Sequence, residues 1–152
     1  MLLEYTGSFY QPAMENAEKL LKKGCAACKD VAAYLARLRA GWDAIRIEEI
    51  TSPSDRIVSI GDSINVQAKI FLADLKPEDL GVELYYGPLS SQGEIEQPRR
   101  LEMAPCGTEG KFSLHCASVA CDRTGRQGYT VRILPRHPAL VHPFLPGLVK
   151  WA

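Results

Sequence analysis

Near Trp42 the spacing of the apolar residues changes once, from the period of a helix to the period of a strand. Before Trp42, apolar or small residues recur in steps of three and four, which places them on one face of a helix. These residues are Ala17, Leu21, Gly24, Cys28, Val31, Leu35, Leu38 and Trp42. After Trp42, apolar and polar residues alternate, as they do in strands with one buried face. The pattern predicts a helical segment followed by an antiparallel β domain.

The predicted helical segment covers residues 1–44. Residues 1–13 are rich in aromatic side chains and are expected to form a helical turn that ends at Pro12, because the residue before proline disfavours the helical conformation. Residues 14–44 then form an amphipathic helix. Gly24 lies inside it, and a glycine there costs about 1 kcal/mol relative to alanine. One long helix and a pair of shorter helices therefore fit the pattern equally well.

Residues 45–152 carry the alternating pattern of the β domain. Candidate strands occur at "IRIEEI", "SINVQAKIFL", "GVELYYG", "RRLEMA", "KFSLHCA", "GYTVRIL" and "GLVKWA". Turn-rich segments such as "KPED", "PCGTEG" and "DRTGRQG" separate them. Short strands with turns at this spacing are typical of an immunoglobulin-like antiparallel β-sandwich. The predicted fold class is mainly β.

The same alternation predicts which side chains fill the sandwich core. They are Ile64, Val66, Ile70, Val82, Leu84, Tyr86, Phe112, Leu114, Tyr129, Val131 and Ile133. Tyr129 follows the turn "TGRQG" and is expected to act as a corner tyrosine, whose hydroxyl hydrogen-bonds back to the backbone.

Charge and composition argue against several classes of function. Eighteen basic and eighteen acidic residues give a formal net charge of zero, which argues against a generic attraction to nucleic acid or to anionic membranes. No stretch is long and apolar enough to span a membrane, so a soluble, cytoplasmic protein is expected. Five cysteines form an odd count in a sequence without a recognisable secretion signal, which favours reduced thiols over a disulfide framework.

Cysteines and histidines are the candidates for a metal or redox site. Cys25 and Cys28 have the spacing of half a zinc site or of a redox dithiol, but a closed zinc site needs four ligands and no second such pair follows. Cys28 also lies on the apolar helix face, so packing is the preferred interpretation and no metal is expected. His137 and His142 flank prolines in "RHPALVHP", which predicts a stiff surface connector.

Two surfaces are candidates for binding a partner. Phe71 and Tyr85 are predicted to point outward on neighbouring strands, where an aromatic pair could contact an adjacent protein domain or stack on sugar rings; the domain contact is preferred. The helix face that carries Leu21, Cys28, Leu35 and Trp42 is longer than a sandwich alone can cover. We expect this face to pack on another domain, and the isolated chain to self-associate through it.

Three stretches resemble a known enzyme family. "LLEYTGSFYQPA" resembles the last helix of the catalytic region in bacterial α-glucan (glycogen or maltodextrin) phosphorylases, glycosyltransferase family 35. "VELYYGPL" and "GRQGYTVRILPRHPALVHPFLPGLVKWA" resemble the C-terminal extension of the shorter bacterial members, with its Tyr-Thr-Val-Arg strand, Pro-x-His-Pro connector and closing Trp. The resemblance covers nearly the whole chain and is strongest at residues 1–13, 81–89 and 125–152.

The resemblance implies a parent enzyme that uses pyridoxal phosphate to split α-1,4-glucans with phosphate, releasing glucose 1-phosphate. The cofactor lysine of that family lies in a Gly-Thr-x-Asn-Met-Lys motif, which does not occur here. No catalytic or cofactor-binding residue is therefore assigned, and the chain alone is not expected to be an enzyme. What the resemblance implies is a non-catalytic C-terminal accessory module that packs on the catalytic body. The alternatives are a carbohydrate-binding module and a free-standing immunoglobulin-like interaction domain.

Overall fold

The computed structural model describes residues 11–52, 58–140, 142–144 and 146–152, and between residues 12 and 24 it describes the side chains of Met14 and Ala17 only. The expectation for residues 1–10 lies outside the described residues. Helix α1 spans Gln11–Gly41, so Pro12 lies in its first turn. Proline is tolerated there because the first helical N–H groups have no partner within the helix.

The backbone of α1 is irregular at the position where the sequence allowed a division. Cys25, next to Gly24, has a φ of 62°, in the left-handed region that other residues in a helix avoid. Helical geometry resumes after it and continues to Gly41. A short 3₁₀ helix, Trp42–Ala44, then leads into the first strand.

Eight strands form two antiparallel four-stranded sheets in the described part of the chain. Their bounds are β1 Arg46–Thr51, β2 Ser63–Phe71, β3 Leu80–Pro88, β4 Arg99–Glu102, β5 Ala104–Glu109, β6 Phe112–Ala120, β7 Gln127–Pro135 and β8 Lys150–Trp151. A 3₁₀ turn, Pro77–Asp79, precedes β3. The first sheet has the order β1-β2-β6-β5 and the second β4-β3-β7-β8. These orders match the A-B-E-D and C′-C-F-G sheets of immunoglobulin-like sandwiches. The predicted mainly β sandwich with a preceding helix is confirmed.

The core lies between the two sheets and extends under the C-terminal part of α1. Most of the predicted core residues are buried, and Ile64, Tyr86 and Tyr129 are half-buried against them. The buried members of the prediction are Val66, Ile70, Val82, Leu84, Val131 and Ile133. Tyr34 and Leu38 of α1 are buried in the same cluster. Helix and sandwich thus share one core.

The predicted inward face of β6 is wrong. Phe112 and Leu114 point outward, whereas Ser113 and His115 are buried. The register explains this, because Phe112 pairs directly with the outward Phe71, and directly paired residues lie on the same face of a sheet. The inward polar groups satisfy each other, since Ser113 Oγ and His115 Nε2 are 3.1 Å apart. Burial lowers the pKa of His115, so the ring favours its neutral form.

Three further expectations are corrected. The predicted turn "PCGTEG" lies largely within strand β5, which pairs with β6 through an irregularity between Pro105 and Gly107. The expectation of reduced cysteines is wrong for Cys106 and Cys116, which form a disulfide because the β5–β6 ladder brings their Cα atoms to 5.8 Å. The hydroxyl of Tyr129 donates to Ser52 Oγ at 2.9 Å and not to the backbone.

No helix among the described residues is long and apolar enough to cross a membrane.

Candidate functional site

Helix α1 is attached to the sandwich by a partly buried polar contact, which we call the joint: Tyr34, Arg37, Asp79 and His137. The Tyr34 hydroxyl donates to the main-chain oxygen of Asp79 at 2.9 Å. Arg37 Nη2 donates to both carboxylate oxygens of Asp79 at 3.0 Å. Asp79 lies in the predicted turn segment "KPED", but it is only 8% exposed. The joint fixes α1 to the start of β3.

The connector after β7 closes the joint from the other side. The backbone N–H of Arg136 donates to the same Asp79 oxygen at 2.9 Å. The His137 ring lies 4.7 Å from the Tyr34 ring, and its Nε2 is 3.2 Å from Asp30 Oδ2 on α1. Burial raises the pKa of Tyr34 to about 12, so its hydroxyl stays protonated and can donate. His137 thus belongs to the joint and not to a free surface connector.

A second cluster, the Arg132 cluster, lies on the outer face of the second sheet and consists of Glu83, Tyr85, Arg132, Phe144 and Trp151. Arg132 Nη2 and Nε donate to Glu83 Oε2 at 2.6 and 2.8 Å. Its guanidinium also lies 5.5 Å from the ring centroid of Tyr85, 5.1 Å from that of Phe144 and 5.3 Å from that of Trp151. These distances are within the range of cation–π attraction.

Arg132 and Trp151 of this cluster differ in their exposure to solvent. Arg132 is 6% exposed and is neutralised by Glu83, so it is not available to bind an external anion. Trp151 is 47% exposed and meets Tyr85 edge-on, with ring centroids 5.3 Å apart at 87°. Surface aromatic rings of this kind suit contacts with an apolar protein surface or with a sugar ring.

Phe71 lies in a separate cluster on the outer face of the first sheet. Its ring centroid is 5.9 Å from that of Phe112. The Arg46 guanidinium covers Phe71 at 4.5 Å, and Lys69 Nζ lies 4.7 Å from the Phe112 ring. The expectation that Phe71 and Tyr85 lie on neighbouring strands is therefore wrong, because β2 and β3 belong to different sheets. The two residues do not form one aromatic pair.

The predicted partner-packing face of α1 is divided by the structure. Trp42 is 6% exposed and packs in the core, so it is not available to an external partner. Leu35 is half-buried against the same core. Cys28 is half-buried, and its pKa is raised by burial and by the adjacent Cys25. The side chain of Leu21 lies outside the described residues.

Three of the cavities in the described part of the chain have volumes of about 610, 520 and 230 Å³. The second lies at the end of the sandwich opposite the joint and is mostly apolar. No lysine lines any of the three. Pyridoxal phosphate is held through a lysine in a closed pocket, so these cavities do not fit that cofactor. Among the described residues, no group of three or more His, Cys, Asp or Glu side chains is placed to hold a metal ion.

Arg132, Trp151 and the joint were not found from the sequence. Arg132 occupies an outward position of β7, where a charged residue suggests solvent, and its burial depends on the returning connector that places Phe144 over it. Tyr34 gave a usable signal, because it lies four residues before Leu38 and so shares its side of the helix. The signal for Trp151 was its position in the predicted closing strand "GLVKWA".

The comparison with known proteins identifies the family. Residues 42–152 match the family model described as glycogen phosphorylase C-terminal domain. The chain belongs to this family. The matched region begins at the buried Trp42, directly after α1, and includes the whole sandwich together with the Arg132 cluster. The resemblance drawn from the sequence is thereby confirmed.

Curated relatives place this phosphorylase domain within longer proteins. The chain is similar to a maltodextrin phosphorylase of Thermococcus litoralis, with 32% identity over 99% of the chain. It is also similar to glycogen phosphorylases of Mycobacterium bovis and Mycobacterium tuberculosis, each with 30% identity over the full chain. In each case the chain spans 18% of the length of the relative.

Proposed function

We propose that this chain is a non-catalytic accessory module that supports the catalytic body of an α-glucan phosphorylase. The observation that carries the proposal is the alignment of nearly the whole chain with 18% of a maltodextrin phosphorylase and of glycogen phosphorylases. The remaining length of such a protein must hold its catalytic machinery. Phosphorolysis of α-1,4-glucans to glucose 1-phosphate, with pyridoxal phosphate as cofactor, is accordingly assigned to the parent enzyme and not to this module. We assign the parent to the cytoplasm.

The joint supports this role because it makes the helix a rigid extension of the sandwich. Tyr34 and Leu38 are 2% and 0% exposed, so the C-terminal half of α1 cannot change its position without opening the core. Towards its start, Met14 is 65% exposed and Ala17 is exposed. We propose that the N-terminal half of α1 packs on the catalytic body, and that the isolated chain self-associates through this half.

Removal of the module from the parent phosphorylase tests the proposal. We expect the shortened enzyme to unfold at a lower temperature and to release less glucose 1-phosphate from a glucan in the presence of phosphate. The isolated chain should release none and should show no aldimine absorbance with pyridoxal phosphate. A shortened enzyme with unchanged thermal midpoint and unchanged activity would refute the supporting role.

Glucan binding is a second candidate function, and the exposed Trp151 beside Tyr85 favours it. Sugar rings stack on exposed indole and phenol rings through their apolar faces. Affinity electrophoresis of the isolated chain in a glucan gel measures this directly. Retention that disappears in Trp151→Ala and Tyr85→Ala but persists in Phe71→Ala would establish a glucan site at the Arg132 cluster. Absence of retention in the unmodified chain would leave the supporting role alone.

A further inference from the structure

The disulfide between Cys106 and Cys116 lies on the outer face of the first sheet and joins the edge strand β5 to β6. Cys106 is exposed and Cys116 is half-buried. All six residues of β5 are exposed, so the strand buries no side chain in the core. Besides the backbone ladder, an ion pair between Glu109 and Lys69 at 2.9 Å holds β5 in place. The bond is therefore accessible to solvent and fastens a strand that the core does not retain.

An amide donor lies next to both sulfur atoms. Gln67 Nε2, on the neighbouring strand β2, is 3.8 Å from Cys106 Sγ and 3.6 Å from Cys116 Sγ. Cleavage of a disulfide by a thiolate leaves negative charge on the departing sulfur, and the reaction is faster when that charge is stabilised. A side-chain N–H donor at this distance supplies such stabilisation for either sulfur.

An open groove leads to the bond from the same face. It has a volume of about 610 Å³, and Cys116 and Gln67 are among its lining residues. The other polar side chains of the groove are Thr51, Ser52, Asn65 and Ser118. Hydroxyl and amide groups of this kind can hydrogen-bond to the backbone of a short peptide. The groove thus offers hydrogen-bond partners to the backbone of a peptide thiol that approaches the disulfide.

We propose that Cys106–Cys116 is a site of reversible thiol–disulfide exchange with low-molecular-weight peptide thiols, and that Gln67 assists the exchange by donating a hydrogen bond to the leaving sulfur. The thiolate of the small molecule attacks one Sγ, the Sγ–Sγ bond breaks, and the other cysteine leaves as a thiolate that takes a proton from water. A second small thiol attacks the sulfur of the small molecule in the mixed disulfide. The protein gains two thiols, and two small thiols are oxidised to one disulfide. The reverse sequence restores the bond.

Glutathione is the probe for the first experiment. The folded chain is incubated with glutathione, free thiols are alkylated at intervals, and the peptides that carry Cys106 and Cys116 are quantified by mass spectrometry. Cys121, whose thiol is not disulfide-bonded, is the internal reference for alkylation. We expect the disulfide to open in the folded chain, a mixed disulfide with glutathione to appear, and hydrogen exchange of β5 to rise while that of the other edge strand, β1, stays unchanged.

A destabilised variant separates exchange at the native surface from exchange through unfolding. Leu38→Ala removes a fully buried side chain far along the chain from the disulfide. If exchange occurs at the native surface, its rate is the same in Leu38→Ala and in the unmodified chain. A rate that rises in Leu38→Ala in proportion to the lost stability would overturn the proposal, because exchange would then require global unfolding.

A pair of matched variants tests the role of Gln67. Gln67→Leu keeps much of the side-chain volume and removes the donor, and we expect it to slow reduction on the order of fivefold, since the rate follows stabilisation of the leaving thiolate. Gln127→Leu makes the same substitution at an exposed position of the second sheet, outside the groove, and should leave the rate unchanged. Equal rates in Gln67→Leu and the unmodified chain would refute the role of Gln67. A bond that resists glutathione in the folded chain altogether would refute the exchange site.

Discussion

Replacement of Leu38 by alanine tests whether the helix is an integral part of the folded domain. Leu38 is 0% exposed and lies in the core between α1 and the sandwich, one helical turn after Tyr34. Truncation of a buried leucine costs about 2–5 kcal/mol, because the lost apolar contact is compounded by the cavity left behind. With a urea m-value of about 1.5 kcal/mol/M, a loss of about 3 kcal/mol lowers the unfolding midpoint by roughly 2 M.

The chain contains a suitable probe for this measurement. Trp42 is buried in the same core, whereas Trp151 is largely exposed, so tryptophan fluorescence in a Trp151→Phe background reports on the helix end of the core. Circular dichroism of the sheets follows the sandwich in the same samples. Both signals should shift together, because one core unfolds as one unit. Lys29→Ala, at an exposed position of the same helix outside its N-terminal half, is the control and should shift neither signal.

Two outcomes would refute this reasoning. A midpoint shift below roughly 0.3 M would show that Leu38 makes no essential contact, since it corresponds to about 0.5 kcal/mol, well below the about 2–5 kcal/mol expected for truncation of a buried leucine. Two separate transitions, with Trp42 fluorescence changing before the sheet signal, would show that the helix docks on a sandwich that is stable without it.

Three further predictions concern single side chains. Tyr129→Phe should cost about 1 kcal/mol in urea denaturation through loss of its hydrogen bond to Ser52, and an unchanged midpoint would contradict this. Glu83→Gln should cost about 2 kcal/mol, because it leaves the buried Arg132 without its counter-charge, and a thermal midpoint equal to that of the unmodified chain would count against it. His115 has a folded pKa below its unfolded value of 6.5, so its contribution to stability is complete above that pH and is lost as the pH falls. His115→Gln should therefore flatten the decline in thermal midpoint between about pH 7 and pH 5. An identical decline in both proteins would disprove the assignment.

The local spacing of apolar residues was sufficient to predict the elements whose buried face is marked by their own apolar side chains. The change of period at Trp42 separated helix from strands, and the alternation in β2, β3 and β7 identified their inward residues. It failed in β6, where the inward face carries Ser113 and His115. There the face is set by pairing with β2, and the hydrogen bond between the two polar groups makes their burial tolerable. Neither the pairing nor the hydrogen bond is visible in a single strand.

The candidate sites were predicted less well because they are built from distant segments. The joint combines Tyr34 and Arg37 with Asp79 and His137, separated by more than forty residues along the chain. The segment "KPED" predicts a solvated turn, and only the folded structure places Arg37 against the carboxylate of Asp79. The disulfide likewise depends on the β5–β6 register, whereas the spacing of Cys106 and Cys116 in the sequence carries no such signal.

Strand β7 and its connector link the two surfaces considered for a partner, which are the Arg132 cluster and helix α1, held by the joint. Arg132 of the outer cluster and His137 of the joint lie only five residues apart, at the end of the same strand and the start of its connector. The connector then returns to place Phe144 and Trp151 over Arg132. Because strand and connector are held at both ends, by Asp79 at the joint and by Glu83 in the cluster, neither surface can rotate independently of the other. A catalytic body bound along α1 would therefore hold the exposed Trp151 in one fixed orientation relative to that body.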